Sequence, residues 1–208
     1  MVTQDSVEKF LDDLANGNPT PGGGSAAAIM GAMGAALISM VCNVTIGKKG
    51  YEGVEAEMRA ILLEAERVRG RLTAMVAEDI AAFDSIMAAY KLPKDSLEDK
   101  ARRAAAIQAG LRRATEAPLD CARVCAEVIA LARRASEHGY LNVISDAGVG
   151  VLAGFTGLRS AALNVYINAP ALKDRAFAEA ATAEIEGLVR SCAPESEAVY
   201  EIVRGKLG

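Results

Sequence analysis

Asp79 is the carboxylate of this chain whose position most needs explaining. Leu72, Val76, Ile80, Phe83, Met87 and Tyr90 fall in one apolar stripe when each residue turns the helix by about 100°. Asp79 lies inside that stripe, Asp84 sits on its edge, and Glu78 points to the opposite side. A core-facing carboxylate is rare unless it is paired, hydrogen-bonded or at work in a site, and burial raises its pKa. It is therefore either a general acid or base, or a buried Asp satisfied by a neighbouring Arg, Lys or helix N-terminus.

The second candidate is a turn. Asn18-Pro19-Thr20-Pro21-Gly22-Gly23-Gly24-Ser25 joins two prolines to three consecutive glycines ahead of an uncharged helix that Ser25 can cap. Such a turn presents free backbone N–H groups and lets a ligand reach the main chain, because no Cβ intervenes. It is not a P-loop, since no strand precedes it and no Gly-Lys-Ser/Thr follows, nor is it a dinucleotide fingerprint, for want of a βαβ unit. The alternative is a plain helix start whose glycines serve close packing.

Other residues are candidates of a weaker kind. Lys48 and Lys49 follow the uncharged helix and complement its negative end, or hold an anionic ligand. A helix of that length, roughly 30 Å, separates them from the glycine turn within one subunit. Ser145-Asp146 reads as an N-cap with a favourable first-turn charge. Asn164 and Asn168 are i, i+4 neighbours on an otherwise apolar helix, where buried amides need partners that a ligand with ring nitrogens could supply. His138, just before Gly139, reads as a helix C-terminal residue.

Helices must position all of these. Val7, Phe10, Leu11 and Leu14 give a short amphipathic helix near residues 5–15, and the uncharged helix ends near Ile46-Gly47. Long helical patterns follow over about 53–90 and 97–138, the second capped by Ser96 and expected to kink or break at Pro118. Ser145-Asp146 opens a helix lasting to about Asn168, and the last covers roughly 171–206 with an interruption or bend at Pro194. No stretch alternates as a half-buried strand would. The expectation is an all-α, multi-helix bundle of long helices forming a single domain over residues 1–208.

Composition narrows the function. Lys and Arg number 23 against 27 Asp and Glu, for a net charge of −4, which gives no polybasic footprint for nucleic acid or an anionic membrane. One His and four scattered Cys leave too few ligands for an ordinary zinc site, and the cysteines read as buried thiols in a reducing, cytoplasmic setting. The apolar stretches 25–46 and 148–172 look like central bundle helices buried on most sides, not membrane spans or a signal peptide.

Pro19 to Ala28 (PTPGGGSAAA), Asp79-Ile80-Ala81-Ala82-Phe83, and Ser145-Asp146 followed by Asn164-Val165-Tyr166-Ile167-Asn168 together resemble the cyclodeaminase/cyclohydrolase family of folate enzymes. The resemblance spans nearly the whole chain and departs locally at Ala169-Pro170. It implies an all-helical homodimer, a tetrahydrofolate substrate bound near the subunit boundary, and no metal or redox cofactor. The implied reaction is reversible hydrolysis of 5,10-methenyltetrahydrofolate to 10-formyltetrahydrofolate; the rival readings are formiminotetrahydrofolate cyclodeamination and a non-catalytic helical protein that dimerises through its Gly/Ala-rich helices. On the hydrolytic reading Asp79 is the base, and Lys48 orients water or protonates N5. Thr20, Pro21, Gly22, Gly23, Gly24 and Ser25 form the pterin-binding turn. Asp146, Asn164 and Asn168 contact the pterin or amidinium, and Lys49 meets the glutamate tail.

Overall fold

The computed structural model describes residues 5–208, and among these residues there is no strand. Six α-helices follow one another: α1 (Val7–Ala15), α2 (Gly23–Thr45), α3 (Glu55–Tyr90), α4 (Leu97–His138), α5 (Ile144–Asn168) and α6 (Arg175–Leu207). The side chain of Ser6 caps α1, and Ser96 with Asp99 forms a reciprocal capping box at α4. Short 3₁₀ turns precede α3 and α5, and a third, Ala169–Ala171, carries the chain from α5 towards α6.

Helices α2 and α5 form the centre. Both pack on α4, α3 flanks α2, and α6 flanks α5. The central pair runs antiparallel at close range: a Cβ at Gly34 would sit 2.7 Å from the Gly150 carbonyl oxygen, and one at Gly157 would sit 2.9 Å from that of Ala27. Small residues thus let two backbones meet where Leu or Val would hold them apart. The core beneath them is built by Ile38, Val41, Met58, Ile61, Leu72, Ile129, Leu158 and Ile185. All four cysteines lie buried in helices as free thiols, and burial pushes the Cys42 thiol up to about 12.

Two sequence expectations about helix ends do not hold. Ser25 does not cap α2, because Gly22 is the N-cap and the Ser25 hydroxyl is turned inward to another partner. Ser145 does not cap α5; the helix follows the 3₁₀ turn two residues earlier, with Val143 at the cap position and no side-chain cap bond.

The prolines also leave α4 and α6 unbroken. Pro118 cannot donate to the carbonyl of Ala114, four residues back, so that oxygen loses its helical partner. The Asn168 side-chain amide donates to it at 2.8 Å, which satisfies the buried backbone and ties the end of α5 to α4.

Helices α2 and α5 are only partly covered: 56% and 44% of their apolar windows are buried. The uncovered positions form stripes. On α2 these are Met33, Leu37, Met40 and Val44; on α5 they are Val149, Leu152, Thr156, Arg159, Leu163 and Ile167. Spacings of three and four residues put each set on one helical face. Since both helices rest on α4, the two stripes form one broad outer surface on which Arg159 is the only charge in either set.

Candidate active site

Asp79, on α3, faces the N-terminus of α2. Its Oδ2 accepts a 2.8 Å hydrogen bond from the Ser25 hydroxyl, which is fully buried. A Cβ at Gly24 would overlap the carboxylate and lie 2.6 Å from its Cγ, so glycine is what lets α2 begin against this side chain. The positive end of α2 favours the ionised carboxylate. Burial acts the other way and is the larger influence: it raises the Asp79 pKa above the ordinary carboxylate value, while the Ser25 side chain and backbone lower it. No Lys or Arg pairs with Asp79 among the described residues, so no cation quenches its charge.

Asp79 borders a cleft of about 390 Å³. On one side lie Thr20, Gly22, Gly23 and Gly24; Asn164 and Asn168 from α5 close the end. The opposite wall is apolar, with Phe83, Met87 and Tyr90 from α3 and Leu111 from α4. Asn164 uses its amide nitrogen on the Ser160 carbonyl, at 3.0 Å. Its amide group sits 3.8 to 3.9 Å from where a Gly23 Cβ would be, at the glycine turn. Pro21 is buried behind the turn and shapes it without lining the cleft.

The structure therefore brings together Thr20, the three glycines, Ser25, Asp79, Asn164 and Asn168. It does not bring Lys48, Lys49 or Asp146 to them within one subunit. These three lie at the other end of the antiparallel α2–α5 pair, roughly 30 Å away along α2. There the Lys48 ammonium sits 4.2 Å from the centroid of the Tyr140 ring, against which Tyr51 packs edge-on at 5.5 Å. The Thr45 hydroxyl accepts from Tyr140 N at 2.9 Å and fixes that junction.

The apolar wall is what residue-by-residue reading missed. Phe83, Met87 and Tyr90 continue the same stripe as Leu72 and Val76, and so read as core. Yet Met87 and Tyr90 are 39% and 47% exposed, because α2 begins level with Asp79, where Gly24 meets the carboxylate, and leaves a cleft over the α3 residues beyond it. The signal in the sequence was Asp79 itself, which marks where the stripe stops facing core. Among the described residues no three His, Cys, Asp or Glu side chains converge as a metal-binding group.

An all-helical bundle in which a half-buried carboxylate without a cationic partner stands against a glycine-rich helix start, at the edge of a cleft, defines the class of this protein. The sequence profile of the formiminotransferase-cyclodeaminase family matches residues 6–187. The chain is 57% identical over 207 residues, covering 100% of both chains, to the methenyltetrahydrofolate cyclohydrolase of Methylorubrum extorquens. It is 36% identical over 195 residues to the formimidoyltransferase-cyclodeaminase of Sus scrofa, 94% of this chain aligning with 36% of that longer protein. In three dimensions it superposes on the crystal structure of formiminotetrahydrofolate cyclodeaminase from Thermotoga maritima with a TM-score of 0.88, at 30% identity and 100% coverage of both chains. The chain belongs to the formiminotransferase-cyclodeaminase family.

Proposed function

We propose that this protein is a methenyltetrahydrofolate cyclohydrolase, converting 5,10-methenyltetrahydrofolate and water reversibly to 10-formyltetrahydrofolate. The observation that carries the reading is the Asp79 carboxylate, held by Ser25 at an open cleft with no cation to neutralise it. The substrate's N5–C–N10 unit is a delocalised amidinium, electrophilic as it stands. Addition needs a group that takes a proton from water as it attacks, and collapse of the tetrahedral adduct needs a proton on N5. A carboxylate in a partly dry site serves the first step and attracts the cationic ground state and transition state. Its upward-shifted pKa moves it towards the pH at which base catalysis is efficient. The glycine turn offers backbone N–H groups to the pterin edge, and Phe83, Met87, Tyr90 and Leu111 form a wall for the aromatic rings.

The reading includes a homodimer across the α2–α5 outer face. Exposed Met33, Val149, Leu152, Leu163 and Ile167 make that face expensive to leave in water, and Arg159 makes it a poor partner for hydrocarbon. A two-fold axis near the Gly34–Gly150 crossing would exchange the two ends of the antiparallel pair. It would carry the partner's Lys48 and the partner's Asp146 towards Asp79, where an ammonium can orient water or protonate N5. The activity proposed needs no metal or redox cofactor, and we place it in the cytoplasm.

The likeness to the Thermotoga maritima protein favours a second reading, formiminotetrahydrofolate cyclodeamination, in which a related adduct expels ammonia. Following the loss of methenyltetrahydrofolate near-UV absorbance with EDTA present, and ammonia release from the formimino substrate in parallel, separates the two. Chelator-resistant loss of absorbance without ammonia release supports the cyclohydrolase. Ammonia release with no effect on methenyltetrahydrofolate supports the cyclodeaminase, and neither activity would overturn both.

A further inference from the structure

Most arginines of this chain are spent on ion pairs, as in Arg123 with Glu184, Arg133 with Glu137 and Glu195, and Arg134 with Glu57 and Glu64. One group of cations is different. Lys94, Lys100, Arg103 and Lys173 line an open groove of about 350 Å³ with Ile107 and Gln108, and no carboxylate lines it. None of the four pairs with an acid among the described residues; of the acids nearby in sequence, Asp99 accepts from Ser96 and Arg102, Asp174 faces Arg112, and Asp95 and Glu98 do not line the groove. Four uncompensated positive charges in one groove, on a chain with a net charge of −4, make a local anion site.

The groove continues the Asp79 cleft. Arg103 donates from Nε and Nη2 to the Tyr90 carbonyl at 3.3 and 3.2 Å, and Tyr90 lines the cleft. Ile107 packs against Ile86 and Leu111, two further cleft residues, so one hydrophobic wall serves both depressions. Gln108 fixes the far rim by donating to the Ala171 carbonyl and accepting from Lys173 N at 2.7 Å. From Asp79 to Tyr90 the cleft follows α3 for about three turns, roughly 16 Å. A folate with its pterin at Asp79 and its aminobenzoyl ring along Phe83 and Met87 directs its glutamate carboxylates to this end.

We infer that the Lys94–Lys100–Arg103–Lys173 groove is the subsite for the γ-linked glutamate tail of the folate, which places the tail here and not at Lys49. The inference rests on the folate reading above. Each added glutamate brings one carboxylate, and each exposed cation–carboxylate contact is worth a modest and salt-sensitive amount. The preference for long tails should therefore be graded and should fall with ionic strength.

The test compares monoglutamyl and pentaglutamyl methenyltetrahydrofolate on the wild type and on the triple variant Lys94→Gln, Lys100→Gln, Lys173→Gln; Arg103 is kept because it braces Tyr90. An Arg190→Gln variant, which removes an exposed cation from α6, serves as the charge control. Free penta-γ-glutamate is titrated against each protein as a direct binding probe. The expected result is a lower KM for the pentaglutamyl substrate, an advantage that shrinks roughly fivefold or more in the triple variant and survives in Arg190→Gln. Penta-γ-glutamate should bind wild type and lose affinity in parallel. An unchanged tail advantage in the triple variant overturns the subsite while leaving the cyclohydrolase standing. Absence of folate turnover overturns the cyclohydrolase, and the penta-γ-glutamate titration then decides the groove by itself.

Discussion

At one end of the antiparallel α2–α5 pair, glycine backbone, the Ser25 hydroxyl and a half-buried carboxylate converge on a cleft; at the other end Lys48 rests on Tyr140, and Lys49 and Asp146 lie at that same end. The first end concentrates backbone donors and one negative charge, the second supplies positive charge on a braced aromatic platform. Among the described residues the cleft end holds the Asp79 carboxylate with no ammonium paired to it, and the ammonium of Lys48 lies at the other end. Under the proposed dimer the apolar face of the two central helices, on which Arg159 is the charged member of the stripes, is where two copies would join unlike ends.

The sharpest way to break that comparison is to disable one end in each subunit. Lys48→Ala should lower kcat by about 10²-fold if its ammonium takes part in proton transfer at the partner's cleft. Mixing it with Asp79→Asn should restore roughly a quarter of wild-type activity on random reassortment, since half the dimers then carry one intact site of two. Full activity in Lys48→Ala alone would show that the two ends do not meet.

Gly24→Ala probes the carboxylate end. The added methyl must push the Asp79 carboxylate off the Ser25 hydroxyl, so a 10- to 100-fold loss of activity is expected, roughly what a misplacement of about 1 Å costs. Steady-state kinetics beside a thermal melt will tell this from unfolding. Asn168→Ala should cost about 1–3 kcal/mol of stability in denaturant titration, because the Ala114 carbonyl freed by Pro118 loses its donor.

The smallest effect is on pH. Ser25 lowers a pKa that burial raises, so in Ser25→Ala the Asp79 pKa should rise further, and the acid limb of the pH–rate profile should move to higher pH. An unmoved limb would mean that Asp79 does not set it.

The pattern of the chain made much of this readable. Helical periodicity and Ser96 located α3 and α4 closely, and the misplaced charge in an apolar stripe picked out Asp79. Local rules failed where a distant partner intervened. Ser25 reads as a cap, yet Asp79, 54 residues away, takes its hydroxyl. Pro118 reads as a helix breaker, yet Asn168, 54 residues from Ala114, repairs the missing bond. The tail of the α3 stripe reads as core, yet it walls a cleft, because nothing in periodicity reports where a neighbouring helix begins. The separation of Lys48 from the glycine turn followed from helix length alone; the antiparallel run of α5 that puts Asp146 at the Lys48 end did not.

Asp79 should hold a position that costs stability and serves chemistry. Its folded-state pKa lies above the unfolded value, so the stability it contributes is present below the unfolded pKa and is lost as pH rises through the folded one. At neutral pH the ionised carboxylate is a burden that Asn, similar in size and uncharged, would not impose. The decisive measurement is kcat/KM for methenyltetrahydrofolate together with the thermal midpoint at neutral pH, for wild type and Asp79→Asn. The rate should fall by about 10²- to 10⁴-fold while the midpoint rises. An unchanged rate with a lowered midpoint would make Asp79 a structural carboxylate and would contradict its place at the centre of the site.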